Sequence, residues 1–154
     1  MSQDAQGEYL RNAVLTATPE QLQLMLYDGA IRFARQGREA MEKRDWETSC
    51  EKLLRAERIV AQLQEGLRPE VNPELCAQMA ALYGFTYSRL VEANMKRDVA
   101  LIDEALQLLD HMRETWRLLL EKIRSVPSAN DAPAPATPKW HAPRGRALRR
   151  RPRT

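Results

Sequence analysis

TPEQLQLMLYDGAIRF, residues Thr18 to Phe33, carries the clearest structural signal in the chain. Thr18 is a good N-cap, Pro19 suits the first helical position, and Gln21 stands where a capping box places Glu or Gln. Ala17 and Leu22 occupy the staple positions. Leu22, Leu26, Ala30 and Phe33 then recur on one helical face, with Leu24, Tyr27, Ile31 and Ala34 on a face beside it. That is more apolar surface than one core seam requires. Tyr27-Asp28-Gly29 sits in the middle, and a helical Gly costs about 1 kcal/mol against Ala. Gly29 therefore marks either a close helix–helix contact or the approach of another backbone, and the spacing leaves both open.

Outward from this run the chain reads as helices. A short apolar segment precedes it: Tyr9 and Ala13 share one face, Leu10 and Val14 another, giving one or two turns. So short a segment is marginal in water alone and must dock. It either fills the end of the core or covers a binding surface. The first long helix is expected over Pro19–Lys43, with Asp45 capping a second over Trp46–Glu65. Leu53, Ala56, Val60 and Leu63 form the second helix's inward stripe. Gly66 suits a left-handed C′ position, with Leu67 as its Schellman contact and Pro69 preventing continuation. Asn72 and Pro73 start a third helix carrying Leu75, Met79, Leu82, Tyr83, Thr86 and Leu90 and ending near Met95. Asp98 caps a fourth, with Ile102, Leu106, Leu109, Met112, Trp116, Leu120 and Ile123. Short connections make neighbours antiparallel, so the expected fold is all-α: an up-down four-helix bundle over 18–126 behind an N-terminal arm, 1–17.

Charge separates a last segment from the rest. Residues 1–126 hold 17 Lys and Arg against 20 Asp and Glu, a net of −3. Residues 127–154 hold 7 Lys and Arg and 1 acid, a net of +6, with six of the chain's 9 prolines. This Pro-rich basic tail cannot bury a core and is expected to be disordered. Its end, RGRALRRRPRT, is either simply solvated or a nonspecific anchor for RNA or an anionic membrane surface. The pI of about 9.1 belongs to the tail and is no argument for nucleic-acid binding by the folded part.

Catalytic constellations are missing from the sequence. Its 2 histidines, His111 and His141, form no paired Glu-x-x-His set, and no HExxH, phosphate loop or nucleophile elbow occurs. Asp28 alone is one carboxylate without a base or metal partner. Cys50 and Cys76 lack CxxC spacing and imply no disulfide framework. No run reaches the ~18–20 apolar residues of a membrane span, and MSQDAQGEYLRN does not read as a signal peptide, so a cytoplasmic protein without membrane insertion is expected. No enzyme activity, metal or cofactor is expected. What remains is the apolar surplus: Tyr27 and Ile31 on one helix, Tyr83, Phe85 and Tyr87 on another. Tyrosines favour interfaces, and such residues either plug the bundle ends or line a groove for an amphipathic partner helix.

Two motifs then match a known family. Thr16-Ala17-Thr18-Pro19-Glu20 followed by Leu24-Met25-Leu26-Tyr27-Asp28-Gly29-Ala30 resembles the opening of FliS-type flagellar secretion chaperones. Leu82-Tyr83, then Arg89-Leu90-Val91-Glu92-Ala93-Asn94 and Asp98, resembles the family's second signature, and Tyr9, Arg113 and Trp116 also fit. The likeness spans about residues 9–122. It implies a cytosolic four-helix bundle that is not an enzyme and needs no cofactor. It implies binding to the disordered C-terminal region of flagellin, blocking its polymerisation in the cytosol and delivering it to the flagellar type III export apparatus. It also allows an adaptor or regulatory bundle whose partner is another flagellar protein, and contacts to the export gate. By residue type and expected exposure, the flagellin groove is assigned to Tyr9, Leu10, Val14, Leu24, Tyr27, Asp28, Gly29, Ile31, Tyr83, Tyr87, Leu90 and Asn94. Tyr9, Leu10 and Val14 are expected to act as a lid that fills the groove until the partner displaces it. Exposed apolar surface would also invite weak homodimerisation. Specific nucleic-acid binding is not expected.

Overall fold

Thr18 opens the bundle as its sequence requires. Its Oγ1 accepts from the Gln21 backbone N–H at 3.1 Å, and the Gln21 side chain accepts the Thr18 N–H at 3.0 Å. The computed structural model describes the backbone of residues 2–125 and the side chains of 4–125. These form five helices: α1 (Ser2–Thr16), α2 (Pro19–Glu42), α3 (Trp46–Glu65), α4 (Pro73–Lys96) and α5 (Val99–Ser125), with no strand among the described residues. Asp45 and Asn72 cap α3 and α4 by accepting from the Thr48 and Leu75 N–H groups. Asp98 accepts from Ala100 at the start of α5. The chain divides into two units, Met1–Leu120 and Glu121–Thr154. The expected disordered tail, with Trp140 and His141, lies outside the described residues.

Helices α2 to α5 make an antiparallel four-helix bundle. The direction is legible in the partners of α2 on α5. The Trp116 indole N–H donates to the Glu20 carbonyl at 2.9 Å, Arg113 pairs with Asp28, Arg35 with Asp110 at 3.4 Å, and Arg38 with Asp103 at 2.5 Å. As numbers rise on α2 they fall on α5. These pairs are partly exposed, each worth about 0–1 kcal/mol, so they set register more than stability. Stability comes from the core, to which all four helices contribute. Leu53, Val60, Leu90, Ile102 and Leu109 are fully buried, and each such side chain contributes about 1.5–3 kcal/mol. Ala30, Ala34, Ala56, Ala93 and Ala105 fill the gaps between them and let the backbones approach.

Two expectations are corrected by the backbone. Gly66 has φ −80° and is not left-handed; α3 ends with its N–H bonded to Gln62 and Leu63 carbonyls. The left-handed residues are Arg44 (φ 60°) and Arg97 (φ 54°), which end α2 and α4. At Arg44 the Schellman bonds form, Asp45 N–H to Ala40 and Arg44 N–H to Met41. A left-handed non-glycine costs about 1–2 kcal/mol. At Arg97 the guanidinium stacks 4.4 Å from the Trp46 ring centroid, which offsets part of that. The second correction is α1, which runs the full 15 residues rather than one or two turns.

Glycine on α2 serves helix packing. A Cβ on Gly29 would lie 3.2 Å from Ile59 Cδ1, the movable tip of a side chain. A Cβ on Gly37 would lie 2.9 Å from both Cγ and Cδ2 of Leu53, which is fully buried. Of the two readings the sequence leaves open for Gly29, close contact with α3 is what the fold uses. Gly37→Ala is therefore expected to lower the unfolding free energy by about 1–3 kcal/mol through overpacking. Gly29→Ala should fall within about 1 kcal/mol of the parent, because gained helix propensity offsets a small shift of Ile59. Urea denaturation of both variants checks the contrast.

Candidate functional site

Two tyrosines meet inside the bundle. Tyr27 on α2 and Tyr83 on α4 are 2% and 1% exposed, and their hydroxyl oxygens lie 2.5 Å apart. Gln23 Nε2 donates to the Tyr83 oxygen at 3.4 Å. Burial raises both phenol pKa values above the ordinary 10.0, so each hydroxyl stays neutral and available to donate. The rings are tilted by 38° with centroids 6.4 Å apart, an arrangement aromatic pairs favour. This is a cross-brace between α2 and α4. The expectation that Tyr27 and Tyr83 line an open groove is corrected: the bundle hides both.

Other expected groove residues divide the same way. Ile31, Leu90 and Gly29 are buried, because their positions on α2 and α4 face the other helices of the bundle. Asp28 is half-exposed and engaged by Arg113. Leu24 is half-buried. Asn94 is also half-buried and acts within the α3–α4 seam. Its amide donates to Cys50 Sγ at 3.6 Å, and it lowers the pKa of Glu57, a buried acid with one carboxyl oxygen left without a partner. Burial pushes the Glu57 pKa up, opposed by the Asn94 hydrogen bond and the Arg58 charge.

The exposed members are Tyr9, Leu10 and Val14 on α1 and Tyr87 on α4. Tyr9 is 72% exposed, so α1 does not bury its apolar face against the bundle, and the lid expected from the sequence is not closed here. The arm presents Tyr9, Leu10, Val14 and Leu15 to solvent. On α4, Leu75, Leu82 and Phe85 are exposed as well, on one stripe at helical spacing, with Arg89 stacked 4.4 Å from the Phe85 centroid. Leu75 and Leu82 belong to the helically spaced apolar set that the sequence places on this helix, and both face solvent. Their signal was available: the apolar arc of α4 is wider than one neighbour can cover. The surface left apolar is therefore α1 plus the flank of α4, rather than the middle of α2.

Polar features offer no chemistry of their own. A groove of about 410 Å³ between α2 and α5 is lined by charged residues, among them Asp28, Arg32, Arg35, Asp110 and Arg113. Among the described residues no three His, Cys, Asp or Glu side chains are placed to hold a metal ion, and no helix is long and apolar enough to cross a membrane. His111 is exposed on α5.

Comparison with known proteins bears on this arrangement. The family model described as "Flagellar protein FliS" matches residues 1–122. The flagellar secretion chaperone FliS of Bacillus subtilis (strain 168) is 38% identical over 116 residues, 75% of this chain and 86% of that protein. The FliS of Salmonella typhimurium is 32% identical over 114 residues, 73% of this chain and 84% of that one. A crystal structure of a bacterial flagellar chaperone superposes with a TM-score of 0.64 at 24% identity, over 79% of this chain and 99% of the other, which supports the same fold.

The open arm makes a prediction with a definite sign. Deleting residues 1–15 removes exposed apolar side chains, so binding of an apolar dye is expected to fall, with the unfolding midpoint nearly unchanged. A closed lid would give the opposite result, a rise in dye fluorescence as the covered surface is uncovered.

Proposed function

The chain belongs to the FliS family, a family of flagellar secretion chaperones and not of enzymes, and from that premise we propose that its client is the C-terminal region of flagellin. In this reading it acts in the cytosol. It holds a disordered segment that would otherwise polymerise and hands it to the flagellar type III secretion apparatus. The observation that carries the reading is a complete core beside unpartnered apolar helix surface: Tyr9, Leu10 and Val14 on α1, and Leu75, Leu82, Phe85 and Tyr87 on α4.

The physics suits a client that folds on binding. An unfolded segment pays about 2–5 kcal/mol to order itself and repays it by burying ~1,000–3,000 Å². Amphipathic helices of the client would lay apolar anchors on α4, where Leu75, Leu82 and Phe85 give a stripe at the spacing a partner helix needs. The arm α1 would then close over the client and add Tyr9 and Leu10 to the contact. Its tether raises the local concentration of these side chains and so slows release. Burial of each large anchor stabilises the complex by about 1.5–3 kcal/mol. While the client is held, its own apolar residues are unavailable for polymerisation.

Calorimetric titration of the full chain with the C-terminal segment of flagellin from the same organism tests this at two salt concentrations. Binding at 1:1 with a negative heat-capacity change and weak salt dependence is expected. Leu82→Asp with Tyr87→Asp should weaken it at least tenfold without moving the unfolding midpoint. Unchanged affinity in that variant, or loss of binding at moderate salt, would overturn the proposal. No binding at all would point to another flagellar or regulatory protein as the partner.

A further inference from the structure

A small cleft gathers polar groups that neither the core nor the client face uses. It lies where the end of α2, the start of α3 and the end of α4 meet. Its volume is about 130 Å³, and Met41, Trp46, Ser49, Cys50, Asn94 and Arg97 line it. Ser49 is 1% exposed, and its Oγ has no hydrogen-bond partner among the described residues. Arg97 has no ion pair among the described residues, and its guanidinium is held by stacking 4.4 Å from the Trp46 ring centroid. Cys50 is a free and exposed thiol whose sulfur accepts the Asn94 amide N–H at 3.6 Å.

Each of these groups restricts what the cleft can take. A hydroxyl buried without a partner calls for an explanation, and on a cleft wall it is a ready contact for a bound polar group. Arg97 sets the sign of that group, because a guanidinium offers a planar fork of donors to a carboxylate. Cys50 adds a nucleophile, and an accessible thiol in the company of a cation is the setting of disulfide exchange. The volume is that of a few waters, which suits one amino-acid-sized group and is too small for a helix.

We infer that Cys50 is a site of reversible S-thiolation by a low-molecular-weight disulfide bearing a carboxylate, which the cleft orders with that carboxylate on Arg97 and Ser49. Cys50 loses its proton to solvent, and the thiolate attacks one sulfur of the disulfide. The new S–S bond forms as the old one breaks. The second half leaves as a thiolate and takes up a proton, so the Cys50 sulfur is oxidised and the departing sulfur reduced. Excess thiol runs the exchange backwards. The cleft lies at the opposite end of α4 from Leu75 and Leu82, so the inference does not rest on the identity of the client.

Cys76, half-buried elsewhere on α4, is an internal reference. The reduced full chain is incubated with cystine, glutathione disulfide or hydroxyethyl disulfide, and adducts at both cysteines are timed by peptide mass spectrometry. The rate at Cys50 divided by that at Cys76 cancels the intrinsic reactivity of each reagent. With cystine this ratio should be at least threefold higher than with hydroxyethyl disulfide, which has no carboxylate. Cystine should also exceed glutathione disulfide, which is too large for the cleft. Arg97→Gln should remove the preference for cystine and leave the ratio for the neutral disulfide within twofold. Arg97→Lys should keep most of the preference, and unchanged helical circular dichroism verifies that both variants fold. Equal ratios for cystine and hydroxyethyl disulfide, or an undiminished preference in folded Arg97→Gln, would overturn the inference. So would a higher ratio with glutathione disulfide than with cystine.

Discussion

A single contact between two buried hydroxyls fixes much of this bundle. Tyr27 and Tyr83 lie on helices that are not consecutive, and their oxygens meet at 2.5 Å in a site that excludes water. A buried hydroxyl without a partner costs about 1–3 kcal/mol, so neither helix can shift along the other without that penalty. Helices α3 and α5 then have to pack against a braced pair. The ladder of Trp116, Arg113, Asp110 and Asp103 sets α5 along α2, and α3 approaches α2 closely over Gly29 and Gly37.

Bracing the interior separates two kinds of apolar surface. One kind is sealed: Tyr27, Ile31, Tyr83 and Leu90 are spent on the bundle itself. The other is open: the apolar side of α1 and the flank of α4. A chaperone for an unfolded client needs both at once, a core that does not depend on the client and a face that stays apolar without collapsing.

Much of the fold could be read from local chemistry. Thr18, Asp45, Asn72 and Asp98 cap helices through contacts two or three residues away, so the sequence near each contains the whole interaction. The stripe Leu53, Ala56, Val60 and Leu63 was legible because α3 is apolar on one face only. Helix exits were harder. Gly66 had the residue type for a left-handed turn, but the chain places that conformation at Arg44 and Arg97, where tertiary contacts such as the Trp46 stack override local preference. The site was least legible. Periodicity finds an apolar arc but does not say which part of it a neighbouring helix covers. Tyr83 and Leu82 are adjacent on α4, yet one is sealed and the other 37% exposed.

The most direct test is a double-mutant cycle on the brace, with unfolding free energy and affinity for the flagellin C-terminal segment measured on Tyr27→Phe, Tyr83→Phe and the double variant. A coupling energy of about 0.5–3 kcal/mol in stability is expected, with affinity for the segment unchanged in all three. Additive stabilities together with a fall in affinity would mean that the tyrosines face the partner and that the interior described here is wrong.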